Sequence, residues 1–289
     1  MGAKVKLVLA MAVFGTLGPF VRLIPLSSGA LALCRAVLAA VLLGAYLLLT
    51  GQKLPLAAAG RALPLLFLSG AAMGLNWILL FEAYKYTTVS MATLSYYFAP
   101  VLVTLACPLL FHEKLTAKQA VCFIMSTLGL VCVIGVGDAS GAGSGAKGVL
   151  FGLGAAVFYA AVVLLNKCIR DVPGVHRTLL QFLATIMVLA PYVACTGGVG
   201  LGALDAVGWA CLLVVGLVHT GVTYCLYFSS LKDLRGQQAA ILSYIDPLVA
   251  VLVSVLVLHE AITPLQLMGG ALILGFALWN ELGAKQPQT

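Results

Sequence analysis

One acidic residue lies deep within an apolar run near the carboxyl end of the chain. Asp246 and Pro247 follow Ile241-Leu-Ser-Tyr-Ile inside the run from Gly236 to Leu258. A carboxyl group in hydrocarbon is costly unless it faces protein or water, and it must be protonated or matched to a cation. We therefore predict that Asp246 binds the ammonium group of a solute or a coupling proton, with a structural ion pair as the alternative.

The same motif occurs earlier in the chain without the acid, as Leu94-Ser-Tyr-Tyr-Phe-Ala99-Pro100. The interval from proline to glutamate is 13 residues in both copies, from Pro100 to Glu113 and from Pro247 to Glu260. A constant offset of 147 also aligns Phe81 with Phe228, Lys85 with Lys232, Tyr97 with Tyr244, Thr116 with Thr263 and Gln119 with Gln266. Such internal repeats are typical of secondary transporters.

The composition excludes an ordinary soluble domain. Of 289 residues, 62% are hydrophobic and 9% are charged, with a mean hydropathy of +1.11, whereas a soluble domain has roughly 25% charged residues. Apolar runs of about 20 residues recur along the chain, as membrane-crossing helices require. The net charge of +7 comes from scattered residues, which favours a role in membrane orientation over nucleic-acid binding.

We predict an all-α integral membrane protein with ten transmembrane helices. The predicted spans are Val5–Leu23, Gly29–Leu49, Leu63–Phe81, Val89–Phe111, Ala117–Gly135, Gly148–Cys168, Thr178–Thr196, Val207–Phe228, Gly236–Leu258 and Pro264–Leu282. Residues 137–147, rich in Gly and Ser, are predicted to link a first repeat (1–136) to a second (148–289). Because each repeat has five spans, an odd number, the second enters the membrane from the opposite side, and the repeats are inverted.

Lysine and arginine residues predict the orientation of these spans. A cytoplasmic amino terminus places twelve of the sixteen on the inner side and three, Arg22, Lys85 and Lys147, on the outer side. Arg35 lies within span two. We therefore expect both termini in the cytoplasm.

Polar and aromatic residues concentrate in spans one, three, four, six, eight and nine, which we expect to line a cavity, while spans five and ten face lipid or a partner subunit. Arg35 could pair with Asp246, anchor a solute carboxylate, or extend to the outer surface. The other candidate solute-binding residues are Asn76, Trp77, Tyr97, Tyr159, His219, Tyr224, Ser243 and Tyr244. Helix packing is the competing interpretation for such residues. Pro100 and Pro247 lie at matching mid-span positions and are predicted hinges.

An enzyme is not expected, because the sequence shows no metal-ligand cluster and no nucleophile paired with a base. The histidines are dispersed: His219 lies within a span, and His112, His176 and His259 are predicted to be in loops. The eight cysteines show no metal-binding spacing, and we expect no cofactor. Short cytoplasmic loops argue against a sensor, whereas conductance above carrier rates would indicate a channel.

Each repeat closes on a related motif, Glu113-Lys-Leu-Thr-Ala-Lys-Gln119 and Glu260-Ala-Ile-Thr-Pro-Leu-Gln266. With the inverted five-span repeats, this motif makes the chain from Val5 to Leu282 resemble the EamA branch of the drug/metabolite transporter superfamily. The resemblance implies a ten-helix carrier in the bacterial inner membrane, with a cavity between the repeats. Similar members commonly export amino acids or related metabolites.

Two departures from related branches narrow this expectation. Span one has no acid, so the glutamate-coupled mechanism of the small multidrug-resistance relatives does not carry over. No lysine lies mid-span, so a phosphorylated substrate of the plastid phosphate or nucleotide-sugar kind is less expected.

We therefore expect a secondary active transporter that exports an amino acid or a related amphiphilic solute by alternating access. A multidrug or quaternary-amine carrier and a nucleobase-type metabolite carrier are the alternatives, with a membrane-embedded enzyme more distant. The expected partners are the solute, the lipid bilayer and a coupling proton, without nucleic acid, in a monomer or homodimer.

Overall fold

Helices make up almost all of the chain that the structure describes. The computed structural model describes residues 2–52, 56–111, 116–134, 144–169, 172–231 and 242–282, in which no strand occurs. The helices are α1 (Ala3–Gly15), α2 (Leu17–Arg22), α3 (Ser28–Leu49), α4 (Leu56–Tyr86), α5 (Val89–Tyr96), α6 (Ala99–Phe111), α7 (Ala117–Ile134), α8 (Ser144–Cys168), α9 (Gly174–Cys195), α10 (Ala206–Leu213), α11 (Thr223–Leu231), α12 (Ile245–Leu256) and α13 (Pro264–Glu281). A π-helical segment, Val214–Val222, joins α10 to α11, and a short 3₁₀ turn covers Leu201–Ala203.

Six stretches in the described residues are long and apolar enough to cross a membrane. They are Ala3–Arg22, Ser28–Leu49, Ala59–Tyr86, Gly145–Asn166, Gly174–Cys195 and Ala206–Tyr227. Shorter apolar helices occupy the other four predicted spans, at Val89–Val103, Ala117–Cys132, Ile245–Leu256 and Pro264–Asn280. The chain is a multi-pass, all-α membrane protein, and the crossing of all ten spans stays a prediction.

Predicted span one consists of two helices, α1 and α2, which meet at Thr16. Pro19 has no N–H to donate to the carbonyl group of Gly15, so the hydrogen-bond ladder is interrupted one turn before the proline. The Thr16 hydroxyl donates instead to the Val13 carbonyl oxygen at 2.8 Å. The break exposes this hydroxyl to the side chains of neighbouring helices.

Predicted span eight contains the π-helical segment between α10 and α11. The hydroxyls of Thr220 and Thr223 donate to the carbonyl oxygens five residues earlier, Val215 at 2.8 Å and Val218 at 2.7 Å. A Cβ atom added at Gly216 would lie 2.7 Å from Leu38 Cβ, so glycine lets this segment approach α3 closely. Short π-helical stretches occur frequently at functional sites.

The helices that open on the repeated Thr-x-x-Gln motif begin with capping boxes in both halves. The Gln119 and Gln266 backbone N–H groups each donate to the hydroxyl of the threonine three residues earlier, at 3.2 Å. The Thr116 and Thr263 N–H groups donate back to the glutamine side chains, at 2.8 and 3.0 Å. The predicted starts of spans five and ten are therefore confirmed.

The equivalent helices α7 and α13 pack against each other in opposite directions. Lys118, near the start of α7, donates to the carbonyl oxygen of Asn280, near the end of α13, at 3.4 Å. In the middle of both helices, a Cβ atom added at Gly129 would lie 2.7 Å from the Gly269 carbonyl oxygen. Antiparallel packing of equivalent helices is what inverted repeats require.

Two predicted boundaries differ from the structure. Helix α8 starts at Ser144 and so includes the last four residues of the predicted linker; residues 137–143 lie outside the described residues. The prediction that His176 lies in a loop is wrong, because α9 begins at Gly174 and His176 is buried in its first turn. His259 is in a loop as predicted, and His112 lies outside the described residues.

Candidate functional site

The two repeated motifs place helix breaks at equivalent positions. Helix α5 ends at Tyr96 and α6 begins at Ala99, so Pro100 is the second residue of α6. Pro247 is the third residue of α12. A proline in the first helical turn costs little because the N–H that it lacks has no partner within the helix. The breaks therefore fall immediately before both predicted hinges.

These two breaks lie side by side because α5 and α12 also pack in opposite directions. The Ser90 N–H at the start of α5 donates to the Ser254 hydroxyl near the end of α12 at 3.4 Å. At the other end of the contact, the rings of the equivalent residues Tyr97 and Tyr244 lie 6.5 Å apart. The internal symmetry thus brings the two motifs together.

Asp246 lies at this meeting point of the two repeats. The Tyr97 hydroxyl donates to Asp246 Oδ2 at 2.5 Å. Among the described residues, Asp246 has no basic ion-pair partner, and its Oδ1 atom accepts no hydrogen bond. Helix α1 approaches closely here, since a Cβ atom added at Gly15 would lie 2.6 Å from the Asp246 carbonyl oxygen. One carboxylate oxygen is therefore available to a cation or a proton.

Arg35 on α3 carries the opposite charge and is only 3% exposed, so it does not extend to the surface. Its Nε atom donates to the Thr220 hydroxyl at 2.6 Å. Its guanidinium carbon lies 4.3 Å from the centre of the Trp77 ring and 5.7 Å from that of Phe81, as in cation–π contacts. No ion pair joins it to Asp246, and within the described part of the chain its two terminal nitrogens have no hydrogen-bond partner.

Aromatic side chains lie between these two charges. The phenol groups of Tyr84, Tyr96 and Tyr224 each interact electrostatically with both Arg35 and Asp246. Ring contacts connect Trp77 to Phe182 (5.7 Å), Phe182 to Tyr224 (5.5 Å), Tyr224 to Phe14 (5.4 Å), Tyr159 to Tyr96 (5.3 Å) and Tyr96 to Tyr97 (5.7 Å). The arrangement has a basic end, an acidic end and an aromatic wall, which we call the bipolar site.

The remaining predicted residues lie around this site with partners in the protein. His219 Nε2 lies 3.0 Å from the Thr16 hydroxyl, and its Nδ1 atom lies 3.3 Å from the Val214 carbonyl oxygen. Asn76 donates to the Ala155 carbonyl oxygen at 2.7 Å and so joins α4 to α8. Ser243 immediately precedes Tyr244 at the break before α12. Solute contacts by these residues stay predictions.

Several wall residues were missed by the sequence analysis, among them Phe14, Tyr84, Tyr96 and Phe182. The repeat offset of 147 contains a signal for one of them, because it maps Arg35 onto Phe182 and Trp77 onto Tyr224. In the structure, Arg35 stacks on Trp77 while the equivalent Phe182 stacks on Tyr224. Applying the offset to each candidate would therefore have identified Phe182.

The hydrogen bond from Arg35 predicts unequal effects for two similar substitutions. Thr220→Val leaves the buried Arg35 Nε–H without a partner, so we expect a stability loss of about 1–3 kcal/mol. Thr223→Val is the matched control, because its hydroxyl bonds only to the Val218 carbonyl oxygen, and it should cost less. Thermal unfolding in detergent measures both; equal losses would mean that the Arg35 bond contributes nothing.

Known proteins share this architecture. The EamA-like transporter family matches residues 3–135 and 146–280, one match in each repeat. The uncharacterized transporter YxxF of Bacillus subtilis (strain 168) is 30% identical over 253 residues, which cover 86% of this chain and 79% of the relative. An uncharacterized transporter of Archaeoglobus fulgidus is 31% identical over 202 residues, covering 69% of this chain and 70% of the relative.

A solved crystal structure supports the same fold. It has a TM-score of 0.67 with 18% sequence identity and covers 95% of both chains. At this identity the likeness concerns the fold alone. The matches to both repeats and the similarity to named transporters lead to one conclusion: the chain belongs to the EamA-like transporter family and is a multi-pass membrane transporter of the drug/metabolite transporter superfamily.

Proposed function

We propose that this transporter carries amino acids or closely related zwitterions. The observation that carries the proposal is the bipolar site, in which Arg35 and Asp246 are close enough to share aromatic neighbours but are not paired. A guanidinium matches a carboxylate through two parallel hydrogen bonds, and the free Asp246 oxygen suits an ammonium group. The aromatic wall supplies apolar contact for a solute side chain.

Alternating access is the proposed mechanism, with movement of the two repeats about the bipolar site. The helix breaks before Pro100 and Pro247 support it, because the chain at these points lacks a continuous backbone ladder and can change direction at little cost. From the distribution of Lys and Arg, we place both termini in the cytoplasm of a bacterial inner membrane.

Asp246 also offers a means of coupling transport to a proton gradient. A carboxyl group that holds a proton has lost the charge that binds an ammonium group, so solute and proton compete for the same oxygen atoms. Competition of this kind produces exchange of an outgoing solute for an incoming proton. We therefore propose export by proton antiport.

A quaternary-amine carrier is the second candidate. It is favoured by the aromatic rings around Asp246, since Tyr96, Tyr97, Tyr159 and Tyr244 resemble the aromatic cages that bind quaternary ammonium groups. Arg35 argues against it, because a solute without a carboxylate leaves that buried charge unmatched.

Uptake of matched solutes into proteoliposomes tests the proposal. The panel compares leucine with isoamylamine, which lacks the carboxylate, isocaproate, which lacks the ammonium, and choline, with and without a proton gradient. We expect leucine to exchange faster than either singly charged analogue and to depend on the gradient. Preference for choline would favour the second candidate, and preference for isocaproate would contradict both.

A further inference from the structure

The carboxylate of Glu260 joins four separate parts of the chain. Its Oε1 atom forms an ion pair with Arg22 at the end of α2. Its Oε2 atom accepts hydrogen bonds from the Val89 N–H, at 2.9 Å, and from the Ser254 hydroxyl on α12. Arg22 also donates to the Thr87 carbonyl oxygen at 2.7 Å. We call this set of five residues the Glu260 clamp.

Local backbone geometry holds Glu260 in position for these contacts. The preceding residue, His259, has a φ of 52°, in the left-handed region that non-glycine residues rarely adopt. The Glu260 N–H then donates to the Ser254 carbonyl oxygen at 3.0 Å. Val89 is the first residue of α5, so its N–H has no partner within the helix and is satisfied by the carboxylate.

The clamp connects the two repeats at one end of the helices. Arg22, Thr87 and Val89 belong to the first repeat, whereas Ser254 and Glu260 belong to the second. Helix α5 runs from Val89 to the break at Tyr97, eight residues later, so the clamp lies about 12 Å along the helix from the bipolar site. Separation of the repeats at this end would break every contact that the clamp makes between them.

We propose that the Glu260 clamp is the gate that closes the bipolar site toward this end of the helices. This inference rests on the proposed carrier function, because only a carrier needs such a gate. In the orientation proposed above, the clamp is at the outer face, and it stabilises the conformation in which that face is closed. The repeat offset maps Glu260 onto Glu113, which lies outside the described residues and is expected to have the same role at the inner face.

A cysteine reporter just beneath the clamp tests the gate without knowledge of the solute. Ser90 lies in the first turn of α5 and is 3% exposed, and its hydroxyl has no hydrogen-bond partner in the described residues. Ser90→Cys therefore changes little beyond adding a reactive thiol. The measurement is its labelling rate with a membrane-impermeant maleimide applied to the outer face of right-side-out vesicles, corrected for the parent protein without the reporter.

Loss of the clamp charge should open the gate. Glu260→Gln removes the ion pair and weakens three contacts, so the open population should rise and the thiol introduced by Ser90→Cys should label roughly tenfold faster. Arg22→Gln tests the same contact from its more exposed partner and should act in the same direction. The matched control is Glu82→Gln, because Glu82 contacts Lys85 at the same end of the helices but within a single helix, at 3.3 Å.

The outcomes separate the gate from the proposed function. An unchanged labelling rate in both Glu260→Gln and Arg22→Gln would overturn the gate, as would an equal increase in Glu82→Gln, which would indicate general loosening. Faster labelling combined with failure of all solutes in the uptake panel would support the gate and count against the zwitterion assignment.

Discussion

Asp246→Asn abolishes uptake of leucine and isoamylamine if the carboxylate binds the ammonium group, whereas uptake of isocaproate persists. The substitution keeps the size of the side chain and one carbonyl oxygen but removes the negative charge. Loss of one partner of a buried charge pair costs about 2–5 kcal/mol, which corresponds to a decrease of roughly 30-fold or more in solute affinity. Initial uptake rates across a range of solute concentrations measure the change.

Tyr97→Phe is the matched control for this substitution. It removes the hydroxyl that donates to Asp246 Oδ2 but leaves the carboxylate in place, so the expected loss is that of one hydrogen bond, about 1 kcal/mol. The Asp246→Asn protein should also lose its response to a proton gradient, which Tyr97→Phe should keep. Leucine uptake by Asp246→Asn at the rate of the unchanged protein would exclude Asp246 from the site.

The position of Asp246 could be predicted because its signal is local. An acid before a proline in an apolar run needs no knowledge of packing to be recognised, and the repeat offset identifies its symmetry mate Ala99. The offset also predicts that Tyr97 and Tyr244 occupy equivalent positions. Inverted repeats bring equivalent mid-span segments together at the membrane midplane, and the structure places these two rings in contact.

The contacts of Arg35 and Glu260 could not be predicted, since they join residues far apart in the sequence. Arg22 and Glu260 are separated by 238 positions, and neither belongs to an apolar pattern that indicates a partner. The π-helical segment that brings Thr220 to Arg35 depends on packing of Gly216 against α3. Three alternatives for Arg35 were therefore open until packing showed it to be buried and unpaired.

The error at His176 has a different cause. The predicted span began at Thr178, where the apolar run begins, but a helix can start before its apolar face. Pro173 immediately precedes Gly174, the first residue of α9, and proline is common at helix starts because its N–H would be unsatisfied there. This signal was present in the sequence and would have placed His176 in the helix.

Arg35→Gln should produce the opposite selectivity to Asp246→Asn. Without the guanidinium, a carboxylate in the bipolar site has no cation to match it, so uptake of leucine and isocaproate should fall by roughly 30-fold or more. Isoamylamine has no carboxylate and should retain its uptake. Arg35→Lys keeps the charge but loses the paired hydrogen bonds of the guanidinium, so an intermediate loss for leucine is expected.

Structural damage and loss of recognition can be separated for this residue. Arg35 stacks on Trp77 and bonds to Thr220, so its removal also weakens packing between α3, α4 and the π-helical segment. Damage of that kind lowers uptake of all three solutes equally and is reproduced in part by Thr220→Val, whereas loss of carboxylate recognition spares the amine. Equal loss of the three solutes in a stable Arg35→Gln protein would therefore assign Arg35 a structural role and leave the carboxylate unexplained.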